Sequence, residues 1–203
     1  MSKKIIGFMG SPRKNKNTDT LLQEVLRGAE DAGAETKLVR IGELNMRGCT
    51  GCYACKRKEK PQNRCVLNDD MAGLYKDIEE ADAVVFSSPV YMCTITPELK
   101  MVIDRLFPYL TLDMGTLLPK GKKCGLVFTQ NQLDAQLFKS HFDMLAYMLG
   151  LIGFETPEIL VSVNTIGYDG DIGQLDASGL ETVFQSKMQH HFLPTLLGSN
   201  LLE

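Results

Sequence analysis

Apolar residues along this chain fall alternately into short continuous runs and into stripes of helical spacing. Lys4 to Gly10 (KIIGFMG) is an apolar run closed by glycine and reads as a buried strand. From Thr18 to Ala32, the residues Leu21, Leu22, Val25, Leu26 and Ala29 recur on one helical face. Glu35 to Ile41 (ETKLVRI) is strand-like but carries Lys37 and Arg40, as an edge strand would. Beyond a cysteine-containing loop, Met71, Leu74, Tyr75 and Ile78 form a second stripe, with Asp69 or Asp70 as its N-cap. Ala83 to Pro89 (AVVFSSP) is a buried strand. Thr96-Pro97 opens the next helix, a hydroxyl cap followed by proline at the first helical position, with Leu99, Val102, Ile103 and Leu106 on its apolar face. Cys124 to Thr129 (CGLVFT) is a further buried strand. A helix with Phe138, Phe142, Leu145 and Leu149 follows, then a strand around Ile159 to Val163. A last amphipathic helix is expected over about Leu180 to Met188.

Strand and helix alternating five times predict an α/β fold with a five-stranded parallel sheet and helices on both faces, a three-layer sandwich. The charged strand belongs at an edge and the uncharged ones at the centre. With right-handed crossovers this gives strand order 2-1-3-4-5. A ligand then sits beyond the carboxyl ends of strands one and three, so the informative loops follow Gly10, Pro89 and Thr129. At 203 residues and about 150 residues per domain, one domain over 1–203 is expected, with a cysteine-rich insertion at about 45–68.

Composition narrows the partners. Apolar residues make up 44% and charged residues 23%, ordinary for a folded chain. A formal charge of −3 argues against a nucleic-acid or anionic-membrane surface. No apolar run approaches the roughly 18 residues of a membrane span. The start, MSKKIIG, reads as a strand rather than a signal peptide, so a cytoplasmic location is expected.

The first loop, Gly10-Ser11-Pro12-Arg13-Lys14-Asn15-Lys16-Asn17-Thr18, joins a strand to a helix N-terminus, where free amides and the helix dipole favour an anion. It matches neither the Walker nor the Rossmann pattern. Two readings remain: a monophosphate cradle, or side chains that merely cap the helix while the lysines are solvated. The second loop, Ser88 to Thr96, offers Pro89, Val90, Tyr91, Met92 and Cys93. These can cover a planar ring, with backbone amides meeting its polar edge. The third, Thr129-Gln130-Asn131-Gln132, is rich in amides suited to a ring's carbonyl edge.

GSPRxxxNT, then CxxCxxC, then DDM, then SSPVYxxxxxPxLKxxIDR resembles the NADPH-dependent FMN reductase and iron-sulfur flavoprotein group of the flavodoxin-like superfamily. The resemblance implies a flavodoxin-like fold and FMN as cofactor. It implies that Ser11, Arg13, Asn17 and Thr18 hold the FMN phosphate, with Asn15 in the same loop. It places Pro89, Val90, Tyr91 and Met92 beside the flavin, with Cys93, Thr129, Gln130 and Asn131 nearby. It further implies electron transfer from NAD(P)H to a small acceptor such as a quinone, flavin, nitro or azo compound, in a homodimer or homotetramer. Apolar residues between Pro108 and Pro119 are available for such an interface. Two other functions are weighed: single-electron transfer between a ferredoxin-like protein and FMN, and a non-enzymatic flavin or thiol sensor. No side chain is singled out as catalytic, since His141, His190 and His191 have no evident partner. Asp104-Arg105 reads as a structural or interface ion pair.

Four of the six cysteines, Cys49, Cys52, Cys55 and Cys65, fall within seventeen residues. Two x2 spacings followed by a returning fourth thiol suit a [4Fe-4S] cluster. Structural zinc and a loop of free thiols are the alternatives. The intervening cations Lys56, Arg57, Lys58, Lys60 and Arg64 are expected to offset a cluster's negative charge. Cys124 reads as a small buried hydrophobe.

Overall fold

The computed structural model describes residues 2–57, 63–163 and 165. Its strands are β1 (Lys4–Met9), β2 (Glu35–Arg40), β3 (Ala83–Pro89), β4 (Lys123–Thr129) and β5 (Glu155–Ser162); its helices are α1 (Asn17–Asp31), α2 (Met71–Glu80), α3 (Pro97–Asp104) and α4 (Lys139–Ile152). The strands form one sheet in the order β2-β1-β3-β4-β5, and every pairing is parallel. The expected strand order is therefore observed, with the charged strand at the edge. The helix expected over 180–188 lies outside the described residues.

Strand alternation sends side chains to two cores. Ile5, Met9, Val85 and Val127 meet Leu21, Leu22, Val25, Leu26 and Ala29 of α1 on one face. Ile6, Phe8, Val84, Phe86, Leu126 and Phe128 meet α2, α3 and α4 on the other. Each such side chain contributes about 1.5–3 kcal/mol by leaving water. Phe128 stacks on Phe142 of α4 with centroids 4.0 Å apart. Cys124 is buried in the second core, as expected.

β5 starts at Glu155, four residues before the expected Ile159. Gly153 ends α4 in a left-handed conformation (φ 119°) that glycine adopts without steric cost. The chain therefore turns at once, and the Glu155 amide donates to the Lys122 carbonyl at 2.8 Å. At the α3 end, Thr96 caps as predicted, its hydroxyl accepting from the Leu99 amide. At α2 the N-cap position is Asp70, but its carboxylate does not cap the helix. The Met71 amide donates to Asp69 instead.

Candidate functional site: three strand ends and a cysteine cavity

The carboxyl ends of β1, β3 and β4 are stitched together. The Gly10 amide donates to the Ser87 carbonyl at 2.9 Å, and the Thr96 hydroxyl donates to the Gly10 carbonyl at 2.7 Å. A Cβ on Gly10 would stand 2.6 Å from the Ser87 carbonyl oxygen and 2.8 Å from the Leu99 Cβ. Only glycine permits this approach of β1 to β3 and α3. The Val90 amide donates to Thr129 O, and the Gln130 amide to Ser162 O.

The loop from Ser11 to Lys16 crosses this seam into α1. Ser11 is buried, and its hydroxyl accepts from the Arg13 amide at 3.2 Å. Lys16 occupies the N-cap in extended conformation and supplies no side-chain cap. Asn17 donates to the Thr165 carbonyl at 2.5 Å, and the Thr18 and Thr129 hydroxyls are hydrogen-bonded at 2.7 Å. Ser11, Asn17 and Thr18 are thus engaged elsewhere, so the capping alternative fails for them. The first-turn amides of α1 lack helical acceptors, and the N-terminus has no side-chain cap, a setting that favours an anion. Of the basic side chains here, Lys14 pairs with Glu43 and Arg40 with Asp19. Arg13 and Lys16 have no ion pair among the described residues.

Asp19 was missed by sequence reasoning. It is fully buried and accepts from the Asn15 amide (2.7 Å), Gln23 (2.9 Å) and Arg40 (2.7 Å). Burial alone would raise its pKa, but these donors hold it below the usual carboxylate range. Its bond to the Asn15 amide fixes the one loop residue with positive φ (54°). An acid one turn into a helix that follows an anion loop was the available signal.

The second loop makes a tight hairpin. Tyr91 and Thr94 exchange backbone hydrogen bonds of 2.9 and 3.1 Å around Met92 (φ 45°) and Cys93 (φ 68°), which hold a conformation uncommon for such side chains. Met92 is 95% exposed, so the tip projects over the strand ends instead of folding onto the core. The Val90 and Tyr91 amides are consumed internally, which leaves those of Met92 and Cys93 for a ligand. In the third loop, Gln130 departs from expectation. Its side-chain amide donates to the carbonyls of Gln132 (3.3 Å) and Asp134 (2.8 Å), while its buried Oε1 has no partner. Gln130 therefore presents an acceptor. Asn131 is exposed with an ordinary negative φ.

The cysteine segment forms a second site. Cys49, Cys52, Cys55 and Cys65 all line one cavity of about 140 Å³, together with Arg105 and Phe107. Gly51 (φ 65°) and Tyr53 (φ 56°) turn the chain tightly between the thiols. The Gly51 amide donates to the Cys49 sulfur at 3.4 Å. Amide donation from Ala54 and the Thr50 hydroxyl lower the pKa of Cys52, whereas burial raises that of Cys55. Among the described residues no three cysteine, histidine or acidic side chains converge on a point that would hold one metal ion. What the four cysteines share is the lining of one cavity.

Two sequence expectations for the surroundings are corrected. Lys56 does not reserve its charge for the cavity: its ammonium donates to the Phe107 carbonyl at 2.5 Å and to that of Leu110, and lies 4.1 Å from the Phe107 ring centroid. It closes the turn after α3. Arg64 pairs with Glu79 at 2.7 Å. Arg57 is exposed, and Lys58 and Lys60 lie outside the described residues. Likewise Asp104 and Arg105 do not pair with each other. Successive helix residues point apart, so Asp104 takes Lys100 and Arg105 takes Asp69. A groove of about 690 Å³ between α3 and α4 shares Cys49 with the cavity and includes Ile95, Ile103, His141, Met144 and Met148. The imidazole of the exposed His141 has no hydrogen-bond partner among the described residues.

The sequence model of the NADPH-dependent FMN reductases matches residues 3–136. A protein of Archaeoglobus fulgidus named iron-sulfur flavoprotein is 41% identical over 106 residues, covering 52% of this chain and 46% of that protein. A Methanosarcina thermophila protein of the same name is 36% identical over 102 residues, covering 50% of this chain and 51% of that one. The chain spans about half the length of the curated relatives it matches. Among solved structures, an NAD(P)H:quinone oxidoreductase from Methanothermobacter marburgensis superposes with TM-score 0.71 at 17% identity, over 94% of this chain and 98% of that one. An FMN-dependent NADH-azoreductase from Bacillus anthracis superposes with TM-score 0.64 at 13% identity, over 92% and 97%. At these identities the structural matches establish the flavodoxin-like fold. No helix among the described residues is long and apolar enough to cross a membrane.

Proposed function

Because the chain belongs to the NADPH-dependent FMN reductase family, we propose that it is an FMN-binding oxidoreductase that carries electrons from NAD(P)H to a small acceptor, with a [4Fe-4S] cluster on Cys49, Cys52, Cys55 and Cys65. When bound, FMN supplies the hydride and single-electron chemistry, and the protein supplies position and electrostatics. The observation that carries the reading is the uncapped N-terminus of α1 beside the buried Ser11 and the unpaired Arg13. That arrangement suits a single phosphate, and the described residues offer no second such loop for a dinucleotide. The first-turn amides and Arg13 hold the phosphate dianion. Gln130 Oε1 would serve the flavin as a hydrogen-bond acceptor and the Met92 and Cys93 amides as donors. Tyr91 and Met92 would supply apolar cover for it.

A second reading is favoured by one observation, the convergence of four cysteines on one cavity. In it a ferredoxin-like protein delivers single electrons through the cluster. Anaerobic reduction separates the two: rapid flavin bleaching by NADH or NADPH supports the first, and bleaching only by ferredoxin or dithionite supports the second. A flavin site that shows no turnover, alongside reversible oxidation of Cys52 or Cys55, would point to a sensor.

Arg13→Ala should weaken FMN binding by about 1.5–3 kcal/mol, the worth of one charge-assisted contact. Riboflavin, which lacks the phosphate, should bind wild type and variant alike. An unchanged FMN affinity would put Arg13 in solvent. A homodimer or homotetramer is proposed from the exposed apolar side chains of Leu112, Met114 and Leu117, with Met144 and Tyr147 also exposed. Light scattering should exceed the 22.6 kDa of a monomer, and a monomer at micromolar concentration would remove the proposal.

A further inference from the structure

Arg105 is the most deeply buried cation among the described residues, with its side chain wholly removed from solvent. Four of its five N–H donors belong to the terminal nitrogens. These make a two-pronged contact with Asp69, Nη1 to Oδ2 at 2.8 Å and Nη2 to Oδ1 at 2.9 Å, and Nη1 also donates to the Arg47 carbonyl at 2.8 Å. The Nε–H is buried and has no partner among the described residues. A buried, unpaired N–H on a charged group is expensive, and here it sits on a side chain that walls the same cavity as the four cysteines. Asp69 receives the Arg47 amide at 3.3 Å and Asp70 the Asn45 amide at 2.6 Å. The guanidinium is therefore clamped to the stem that leads into Cys49. The whole assembly orders a positive charge, with the Nε–H unused, at the wall of the cavity that the cysteines line.

We propose that Arg105 is a positioning residue for the group held by Cys49, Cys52, Cys55 and Cys65, with its Nε–H donating to a sulfur of that group. This rests on the cluster reading above. Sulfur carries the negative charge of a ligated cluster, and a fixed N–H donor together with a buried cation favours the form that holds one more electron. Arg105 thus supplies charge compensation that the exposed and separately paired cations of the loop do not.

The test uses full-length protein reconstituted anaerobically with ferrous iron and sulfide. Iron is counted first: a protein that takes up none overturns the cluster reading, and this proposal with it. In Arg105→Lys the ammonium can keep Asp69 but cannot also present the Nε–H. With iron content equal to wild type, its cluster midpoint potential, followed by electron paramagnetic resonance, should fall, and an unchanged potential overturns the proposal. If Arg105→Lys loses iron or fails to fold, a second measurement decides. A variant with Arg47→Lys, Arg57→Lys and Arg64→Lys keeps Arg105 as the arginine beside the cavity, and is grown on arginine labelled with nitrogen-15 at Nε. Pulsed resonance of its reduced cluster should show coupling to that nitrogen. No coupling means that Arg105 serves only to anchor the stem.

Discussion

Cys65→Ser should lose most of its iron and keep its FMN. The four cysteines line one cavity, and a cubane bound there would take one iron per thiolate. Removal of any one thiolate therefore exposes an iron corner. Cys65 is the most informative position because it returns to the cavity only after a nine-residue excursion. It is half-buried and packs against the larger core, so a serine of nearly the same shape leaves that packing in place. The anion loop after β1 is built on separate strand ends and should retain its ligand. Wild type should hold about four iron and four acid-labile sulfide per chain, and the variant only a small part of that by metal analysis. Full iron in Cys65→Ser would show that the cavity does not bind through this residue.

Asp69→Ala should be the most destabilising single change outside the apolar core, by roughly 3–5 kcal/mol. It strands the buried Arg105 guanidinium without its counter-ion. It also removes the acceptor for the Arg47 and Met71 amides. Urea unfolding of the cofactor-free protein measures this directly, and a loss under about 1 kcal/mol would mean that water reaches the guanidinium. The same pair has a pH signature. Burial alone would raise the Asp69 pKa, but the Arg105 contact and the two amides hold it below its ordinary value. A depressed carboxyl contributes stability that is present above the unfolded pKa of about 3.9 and is lost as pH falls through the lower folded value. Wild type should therefore lose stability in acid below about pH 4, and Asp69→Asn should lack that part of the transition.

The sheet was legible because its pattern is local. Lys37 and Arg40 mark the edge, and uninterrupted apolar runs mark the centre. The cysteine cavity was legible from spacing alone, since short gaps force neighbouring thiols onto one turn. What could not be read depends on pairs distant in sequence. Arg105 finds Asp69 across 36 residues, although both lie in quoted motifs, DDM and IDR. Lys56 looks like one of five loop cations until its ammonium is seen on the carbonyls after α3. Gln130 looked like a donor, and its internal contacts turn its acceptor outward. The left-handed pair Met92-Cys93 has no glycine to announce it. Each of these departures lies at one of the two candidate sites, where local rules yield to the ligand they are proposed to serve.

The most direct test is the absorption spectrum of protein purified without oxygen, read together with chromatography of the released cofactor and an iron count. The account predicts flavin bands over a broad shoulder, FMN as the released flavin, and about four irons per chain. Released FAD, no flavin at all, or an iron-free protein after anaerobic reconstitution would contradict it.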